Sequence, residues 1–248
     1  MIDAAEKNGQ LNKNKIILEA TSGNTGIGLA LVGRLKGYKV TLTMSSAMSI
    51  ERKRMLKVFG AKIIETDPTK GTDGAIIKAK EMFRENPDEY WMSDQFSNEQ
   101  NPLVHYSKTA EEIITQLPEI TTFVAGIGTS GTLMGISKRL KEHNSEIEII
   151  GVEPELNHRI QGLKNMKEAI VPDIYKEEKL DHKIVVSTED AYETARQLAS
   201  EEGIFVGMSS GAAMWAAIKA AEEMDRGNIV VLFPDRGEKY LSTELFNF

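Results

Sequence analysis

The sequence contains no cysteine, so it has neither a disulfide framework nor thiolate ligands for a metal ion. Its four histidines (His105, His143, His158 and His182) are dispersed without metal-ligand spacing, and we expect no metal site. No apolar run approaches the ~20 residues that span a membrane. Positive charge is not in excess either. The net charge of −7 argues against a nucleic-acid partner, because phosphate binding requires a basic surface.

What is present is the composition of an ordinary globular protein, with 41% hydrophobic and 27% charged residues. A chain of 248 residues can form one large domain or two modest ones with a sizeable core. The N-terminus lacks the basic and apolar regions of a signal peptide, so we expect a cytoplasmic enzyme. Residues 1–10 are typical of the end of an amphipathic helix, stopped by Asn8-Gly9.

From residue 15 onward, apolar strands alternate with helices. The predicted strands at 16–19 and 40–44 are mainly apolar or β-branched rather than alternating, a pattern typical of parallel sheets covered on both faces. The sequence therefore predicts an α/β fold with two parallel-sheet, three-layer domains. We place the boundary in the polar stretch 95–102. This gives a first domain over 13–100 and a second over 101–248 together with 1–12.

Three stretches share one design, in which a strand is followed by a small polar loop and a helix start: 21–26, 126–132 and 207–211. In parallel α/β sheets such loops lie at the C-terminal ends of strands, where ligands bind. Glycine permits close backbone approach, hydroxyls add donors and the helix N-terminus adds partial positive charge. Gly128-Thr129-Ser130-Gly131-Thr132 is therefore the best phosphate cradle. A tight packing turn explains any one loop, but three together are harder to explain in that way.

These loops carry a family resemblance. Thr21-Ser22-Gly23-Asn24-Thr25-Gly26, followed by the 128–132 loop, resembles the fold-type II pyridoxal-phosphate enzymes, and within them the cysteine synthases. Further matching motifs are Met48-Ser49-Ile50-Glu51-Arg52, Gln95-Phe96-Ser97-Asn98, Asn101-Pro102-Leu103, Ile160-Gln161-Gly162 and Gly207-Met208-Ser209-Ser210-Gly211. The ending Asp235-Arg236-Gly237 is similar to the B type of cysteine synthase (O-acetylserine/O-phosphoserine sulfhydrylase).

The resemblance implies pyridoxal 5′-phosphate as cofactor and a role for each matching residue. The residues that would hold its phosphate are Gly128, Thr129, Ser130, Gly131 and Thr132. Asn24 would hydrogen-bond the ring hydroxyl. Ser209 would meet the pyridine nitrogen, where a neutral hydroxyl favours β-elimination. The residues that would bind the substrate α-carboxylate are Thr21, Ser22, Gly23, Thr25 and Gln95. The first domain would then be the small, mobile one that closes on substrate, and the second the large cofactor-binding one.

The implied reaction is a two-step β-replacement. An activated serine, O-acetylserine or O-phosphoserine, loses its leaving group, and sulfide or another thiol then adds to give L-cysteine. Lys164 and Arg159 are cations that could meet a phosphoryl leaving group, although solvated surface charge is the commoner role. The resemblance also implies a homodimer and a serine acetyltransferase as partner. It does not distinguish the two leaving groups.

The chain departs from the family at one point. The family's Schiff-base lysine lies in a Lys-Asp-Arg stretch upstream of the helix that matches residues 1–8. Lys7, Lys13 and Lys15 precede the 21–26 loop, but Asp-Arg follows none of them. This lysine is both attachment point and proton shuttle. We therefore assign no catalytic residue, interpret the chain as N-terminally truncated, and expect weak or non-covalent cofactor binding without turnover.

Two alternatives stay open. The first is a neighbouring activity, cystathionine β-synthase or serine/threonine dehydratase. Dehydratases usually carry a Ser-x-Gly-Asn-His loop, so Thr25 argues against them, whereas cystathionine synthesis differs only in its nucleophile. The second belongs to another class, a catalytically silent binding or assembly protein, which the missing lysine favours.

Overall fold

Most strands of the protein are rich in apolar residues, because helices cover both faces of each sheet. The structure, a computed structural model, describes residues 1–247. The chain divides into two units, Met1–Asn98 and the residues from Glu99 onward. Each unit contains a four-stranded sheet in which every pair of neighbouring strands is parallel. The predicted α/β class with two parallel sheets is confirmed.

The first unit has the strand order β3-β2-β1-β4. Its strands are β1 (Ile16–Ala20), β2 (Val40–Ser45), β3 (Lys62–Thr66) and β4 (Tyr90–Met92). Its helices are α1 (Ile2–Lys7), α2 (Asn24–Leu35), α3 (Ile50–Val58) and α4 (Gly71–Glu85).

Alternate residues of β1 pack against helices on opposite faces of this sheet. Ile17 lies in one apolar cluster with Leu29 of α2, whereas Leu18 lies in another with Ala75 and Ile76 of α4. Successive side chains of a strand point to opposite faces. The first unit therefore has three layers, with helices on both sides of the sheet.

The second unit has the strand order β7-β6-β5-β8. Its strands are β5 (Thr122–Gly126), β6 (Glu148–Pro154), β7 (His182–Val186) and β8 (Ile229–Val231). Its helices are α5 (Gln100–Val104), α6 (Ala110–Gln116), α7 (Gly131–His143), α8 (Thr188–Glu202) and α9 (Met208–Glu222). A π-helical turn, His105–Thr109, joins α5 to α6.

The second unit repeats the layered arrangement. Phe123 of β5 packs with Leu133 and other residues of α7, and its neighbour Val124 packs with Ala191 of α8 and Ala212 of α9. The segment between β6 and β7 is irregular, with a 3₁₀ turn at Glu177–Lys179. Within residues 1–247, no helix has the length and apolar character needed to cross a membrane.

Two predicted boundaries differ from the structure. Residues 1–12 were expected with the second domain, but they lie in the first unit, because Ile2, Ala5 and Leu11 are buried in the same cluster as Leu29. The stretch 95–102 was expected to be a loop, yet α5 starts within it at Gln100. A proline in a first helical turn, here Pro102, costs no hydrogen bond and therefore gives no stop signal.

Helices α8 and α9 approach so closely that one position on α9 admits no side chain. A Cβ on Gly211 would lie 2.1 Å from the Ala191 carbonyl oxygen and 2.8 Å from Ala195 Cβ. We expect Gly211→Ala to lower the free energy of unfolding in urea by about 2 kcal/mol or more, since the backbone must shift. Gly28→Ala, on the exposed side of α2 with nothing within 4 Å, is the control and should raise it by about 0.5–1 kcal/mol. Equal effects at the two positions would contradict this account.

Candidate functional site

The 21–26 loop connects β1 to α2 and packs tightly on its own helix. Thr21 is buried; its N–H donates to the Thr43 carbonyl oxygen (3.0 Å), and its Oγ1 accepts the N–H of Gly23 (3.2 Å). A Cβ on Gly26 would lie 2.8 Å from Thr21 Cγ2, so glycine keeps the first turn of α2 against the loop. The loop therefore ends at a helix N-terminus, where N–H groups without intrahelical acceptors can bind an anion.

The rest of the loop is more accessible. Ser22 and Thr25 are half-buried, and Asn24, the first residue of α2, is exposed. Arg52, only 2% exposed on α3, donates from Nη1 to the Ser22 carbonyl oxygen (2.9 Å). This buried guanidinium orients the loop and adds positive charge beside it, which favours an anionic ligand.

Gln95, from the segment after β4, joins the same loop. It is buried, and its Nε2 donates to the Ala20 carbonyl oxygen (2.9 Å). The Glu19 carboxylate, at 1% exposure, accepts the N–H groups of Ala20 (2.9 Å) and Gln95 (3.0 Å) and the hydroxyl of Ser93 (2.5 Å). The structure thus brings together at one end of β1 all the residues predicted to bind a carboxylate: Thr21, Ser22, Gly23, Thr25 and Gln95.

The second predicted loop connects β5 to α7. A Cβ on Gly128 would lie 2.7 Å from the carbonyl oxygen of Gly162, and one on Gly131 would lie 2.1 Å from Asn101 Oδ1. Only glycine fits these two positions without movement of the chain around them. The spacing predicted for a phosphate cradle is therefore also required by packing.

Ser130 is the least ordinary residue of this loop. It caps α7 with φ of +72°, a left-handed conformation that non-glycine residues seldom adopt. It is 3% exposed, and its Oγ is buried without a hydrogen-bond partner among residues 1–247. A buried hydroxyl without a partner costs about 1–3 kcal/mol, so its retention at a helix N-terminus points to a ligand that accepts from it.

The two threonines of the cradle are held from the helical segment before it. Thr129 Oγ1 accepts from Asn101 Nδ2 (3.1 Å) and from the Gly131 N–H (3.3 Å). Thr132 Oγ1 lies 3.2 Å from His105 Nε2, and His105 Nδ1 lies 3.0 Å from Thr109 Oγ1. Burial lowers the pKa of His105, so its ring is neutral at pH 7 and links the two hydroxyls.

The 160–163 segment connects the cradle to the third predicted loop. Gly162 has φ of +102°; its carbonyl oxygen faces Gly128, and a Cβ built on it would lie 3.8 Å from Ser209 Oγ. Ser209 is 5% exposed in the first turn of α9. The structure therefore places Ser209 near the 128–132 loop within the second unit, with Gly162 between them.

The two cations considered for a leaving group have different environments. Arg159 forms ion pairs with Glu189 and Glu244 at 3.1 Å each and is more than half exposed, as expected of surface charge. Lys164 is instead 7% exposed, with its Nζ 3.5 Å from the Ile170 carbonyl oxygen. Solvated surface charge therefore describes Arg159 but not Lys164.

Several residues that support the site had no role in the sequence-based prediction: Glu19, Arg52, Asn101, His105 and Gly162. Glu19 carried a signal, since a carboxylate in an otherwise apolar parallel strand is costly unless it is hydrogen-bonded. The others act through tertiary contacts that no spacing in the sequence indicates.

The chain is similar to known proteins in sequence and in fold. The pyridoxal-phosphate dependent enzyme family matches residues 1–235. The chain belongs to that family. Cysteine synthase from Aquifex aeolicus (strain VF5) is 49% identical, with 98% of this chain and 76% of that protein covered. Membership implies pyridoxal phosphate as the cofactor, and the predicted resemblance to cysteine synthases is confirmed.

Two solved structures of the family have the same fold. The crystal structure of cysteine synthase from Entamoeba histolytica gives a TM-score of 0.91 at 41% identity, covering 99% of this chain and 75% of that one. O-acetylserine dependent cystathionine β-synthase from Helicobacter pylori gives 0.92 at 36% identity, covering 99% and 83%. The predicted fold-type II architecture is thereby confirmed.

The residues of the second unit fit this cofactor. The buried Ser130 hydroxyl lacks a protein acceptor, and the cradle has no room for a Cβ at Gly128 or Gly131. Both features suit a phosphate monoester at the N-terminus of α7. Ser209 offers a neutral hydroxyl nearby, the partner expected for an unprotonated ring nitrogen.

Ser130 gives the first test of the site. We expect Ser130→Ala to weaken pyridoxal phosphate binding about tenfold, because one hydrogen bond to a charged group is lost. The unliganded protein should not be destabilised, and its free energy of unfolding is expected to rise by up to about 1–3 kcal/mol, because a buried hydroxyl without a protein partner is removed. Equilibrium dialysis and urea unfolding measure the two effects.

The matched control is Ser137→Ala, at a buried serine of α7 that donates to the Leu133 carbonyl oxygen. This variant should leave cofactor affinity unchanged. Equal affinity in wild type and Ser130→Ala would exclude the hydroxyl as a phosphate donor.

Glu19 gives a pH-dependent test. Burial raises the pKa of its carboxyl from about 4.5 to about 7. The folded state then binds this proton more tightly than the unfolded state, so the contribution of Glu19 to stability falls as pH rises through that range. Between pH 4.5 and pH 7, we expect the free energy of unfolding of the wild type, measured in urea, to fall by on the order of 3 kcal/mol more than that of Glu19→Gln. Parallel pH profiles for the two proteins would refute this assignment.

Proposed function

We propose that this chain provides the cofactor- and substrate-binding framework for pyridoxal-phosphate-dependent synthesis of L-cysteine, by β-replacement on O-acetylserine or O-phosphoserine with sulfide. The observation that carries the proposal is the buried Ser130 hydroxyl, which lacks a protein partner in a glycine-closed cradle. Identity of 49% to a cysteine synthase supports the reaction class.

In this proposal the second unit holds the cofactor. Its phosphate is bound by the backbone and hydroxyls of Gly128, Thr129, Ser130, Gly131 and Thr132. His105 keeps the Thr132 hydroxyl in place, and Gly162 leaves the space beside Ser209 open. When bound, pyridoxal phosphate supplies an electron sink for the substrate α-carbon. The neutral hydroxyl of Ser209 limits that sink, which favours loss of a β-leaving group over deeper carbanion chemistry.

The first unit binds the amino acid. Thr21, Ser22, Gly23 and Thr25 offer hydroxyls and backbone N–H groups at the start of α2, and Gln95 adds an amide. The buried guanidinium of Arg52, which donates to the Ser22 carbonyl oxygen, adds positive charge that also favours the substrate carboxylate at this loop. Asn24, exposed at the first position of α2, is the donor proposed for the cofactor's ring hydroxyl. The mobility proposed for the first unit would follow from substrate binding at this loop.

Two of the lysines before the loop, Lys13 and Lys15, make other contacts. Lys15 Nζ donates to the carbonyl oxygens of Pro87 (3.2 Å) and Tyr90 (3.4 Å), and β1 separates the Lys15 backbone from Thr21 by about 20 Å. Lys13 Nζ donates to the Lys36 carbonyl oxygen (2.5 Å) and lies 3.9 Å from the Tyr38 ring centroid. We propose that neither lysine attaches the cofactor and that the cofactor binds non-covalently. We therefore assign a catalytic role to no lysine of this chain.

Two other functions are kept for stated reasons. Cystathionine synthesis is favoured by the likeness to the Helicobacter pylori enzyme, which is O-acetylserine dependent. A silent binding or assembly role is favoured by the engagement of Lys13 and Lys15. The leaving group stays open between acetate and phosphate; the buried Lys164 is the residue that would favour phosphate.

Assembly is a further part of the proposal. We propose a homodimer in the cytoplasm, with a serine acetyltransferase as a possible partner, on the family resemblance alone. Light scattering on the purified chain measures the first, and co-elution with a serine acetyltransferase measures the second. A monomer at micromolar concentration would contradict the dimer.

The reaction is tested on this chain with and without an added small primary amine. We expect no L-cysteine from O-acetylserine, sulfide and pyridoxal phosphate alone, and L-cysteine formation when a small primary amine is added, because the free amine can replace the side chain's proton transfer. Borohydride reduction and mass spectrometry should find no cofactor on any lysine. O-phosphoserine and homocysteine are run in parallel.

The outcomes separate the alternatives. Preference for homocysteine over sulfide would support cystathionine synthesis. Cofactor binding without any product, with or without amine, would support the silent role and contradict the proposed reaction. Cofactor trapped on Lys7, Lys13 or Lys15 would overturn the non-covalent assignment.

A further inference from the structure

Glu19 is the last residue but one of β1, and its carboxylate connects the end of this strand to the segment after β4. One oxygen accepts the Ala20 N–H (2.9 Å), and the other accepts both the Ser93 hydroxyl (2.5 Å) and the Gln95 N–H (3.0 Å). The Gln95 side chain then donates back to the Ala20 carbonyl oxygen (2.9 Å). These bonds close a ring between the end of β1 and the segment after β4.

The fold alone does not explain a carboxylate at this position. The strand residues around it, Ile17, Leu18 and Ala20, are buried and apolar, and an apolar residue would avoid the desolvation cost of Glu19. An apolar side chain, however, could not accept the N–H of Gln95. What Glu19 specifically determines is therefore the position of Gln95 relative to Thr21, the first residue of the 21–26 loop.

We propose that Glu19 is a positioning residue for substrate binding: its carboxylate fixes the backbone of Gln95, and so the Gln95 amide side chain, beside the 21–26 loop. This inference rests on the proposed role of Gln95 and that loop in holding the substrate carboxylate. Glu19 itself does not touch the substrate; it acts through Gln95 and Ala20.

Charged groups on neighbouring segments act on this ring. Asp94, with φ of +46° between Ser93 and Gln95, adds negative charge close to Glu19 and raises its pKa together with burial. Arg52 of α3 donates to the Ser22 carbonyl oxygen (2.9 Å) in the loop that follows β1. Loss of the Glu19 proton changes the acceptor that holds Gln95.

The first measurement follows the Gln95 amide by ¹H–¹⁵N NMR and hydrogen exchange in the full chain. In wild type we expect its chemical shift to titrate with a midpoint near the Glu19 pKa of about 7, and its exchange to be protected. Glu19→Gln presents one acceptor oxygen instead of two. We expect it to abolish the titration and to speed Gln95 exchange about tenfold or more.

Two variants keep the test decisive. Ser93→Ala removes one donor to the same carboxylate oxygen and leaves Glu19 in place. We expect it to change the chemical shift of the Gln95 amide less than Glu19→Gln does, and it provides a test even if Glu19→Gln does not fold. Glu153→Gln is the matched control. Glu153 is another buried strand glutamate, which accepts the Met166 N–H (2.8 Å) in the second unit, and its replacement should leave the Gln95 signal unchanged.

The second measurement separates substrate from cofactor. Calorimetry with O-acetylserine on the cofactor-loaded chain should show about tenfold weaker binding in Glu19→Gln, with pyridoxal phosphate affinity unchanged. A general loss of structure would weaken both. The split between the two affinities therefore reports positioning rather than folding.

The results have distinct meanings. An unchanged Gln95 signal in Glu19→Gln overturns the proposal, and so does a displaced signal with unchanged O-acetylserine affinity. The wild type could also fail to bind O-acetylserine while the Gln95 amide shift still titrates with Glu19. That result would contradict the proposed function and would support only the contact between Glu19 and Gln95.

Discussion

The burial of both sheet faces is the constraint on which the rest of this protein depends. Helices cover each face of both parallel sheets, so only the ends of the strands remain for chemistry. At the ends of β1 and β5 the chain turns directly into α2 and α7, and these turns present backbone N–H groups that no helical carbonyl satisfies. The same arrangement that stabilises the sheets creates one candidate anion site in each unit.

Much of this could be predicted from the sequence, for a physical reason. Strands buried on both faces are mainly apolar, so the parallel α/β class was readable. The small-residue loops were readable because a packed helix start tolerates few residue types. The placement of residues 1–12 was not readable, since the burial of Ile2 and Ala5 depends on a tertiary contact with α2 and not on local propensity. The start of α5 at Gln100 was missed because Pro102 suits a first turn as well as a loop.

The predicted site residues show the same division. The 21–26 and 128–132 loops were found by composition, because each position is restricted by a close contact or a helix start. The side chains that hold them follow no spacing rule. His105 lies 27 residues before Thr132, and Glu19, although next to the 21–26 loop in sequence, acts through Gln95, 76 residues later. Glu19 differs from the others because its polarity conflicts with that of its strand, and the order of residues alone reveals this conflict. A residue at odds with its local pattern is thus where sequence reasoning has most to gain.

The contact between Gly128 and Gly162 has a consequence for how such a site can change over time. The carbonyl oxygen of Gly162 occupies the space that a side chain at Gly128 would need, and Gly162 itself holds a conformation that suits glycine. Neither position is therefore free to drift independently. A larger residue at one becomes tolerable only after the other segment has moved, so the pair is expected to vary together or not at all in descendants of this sequence.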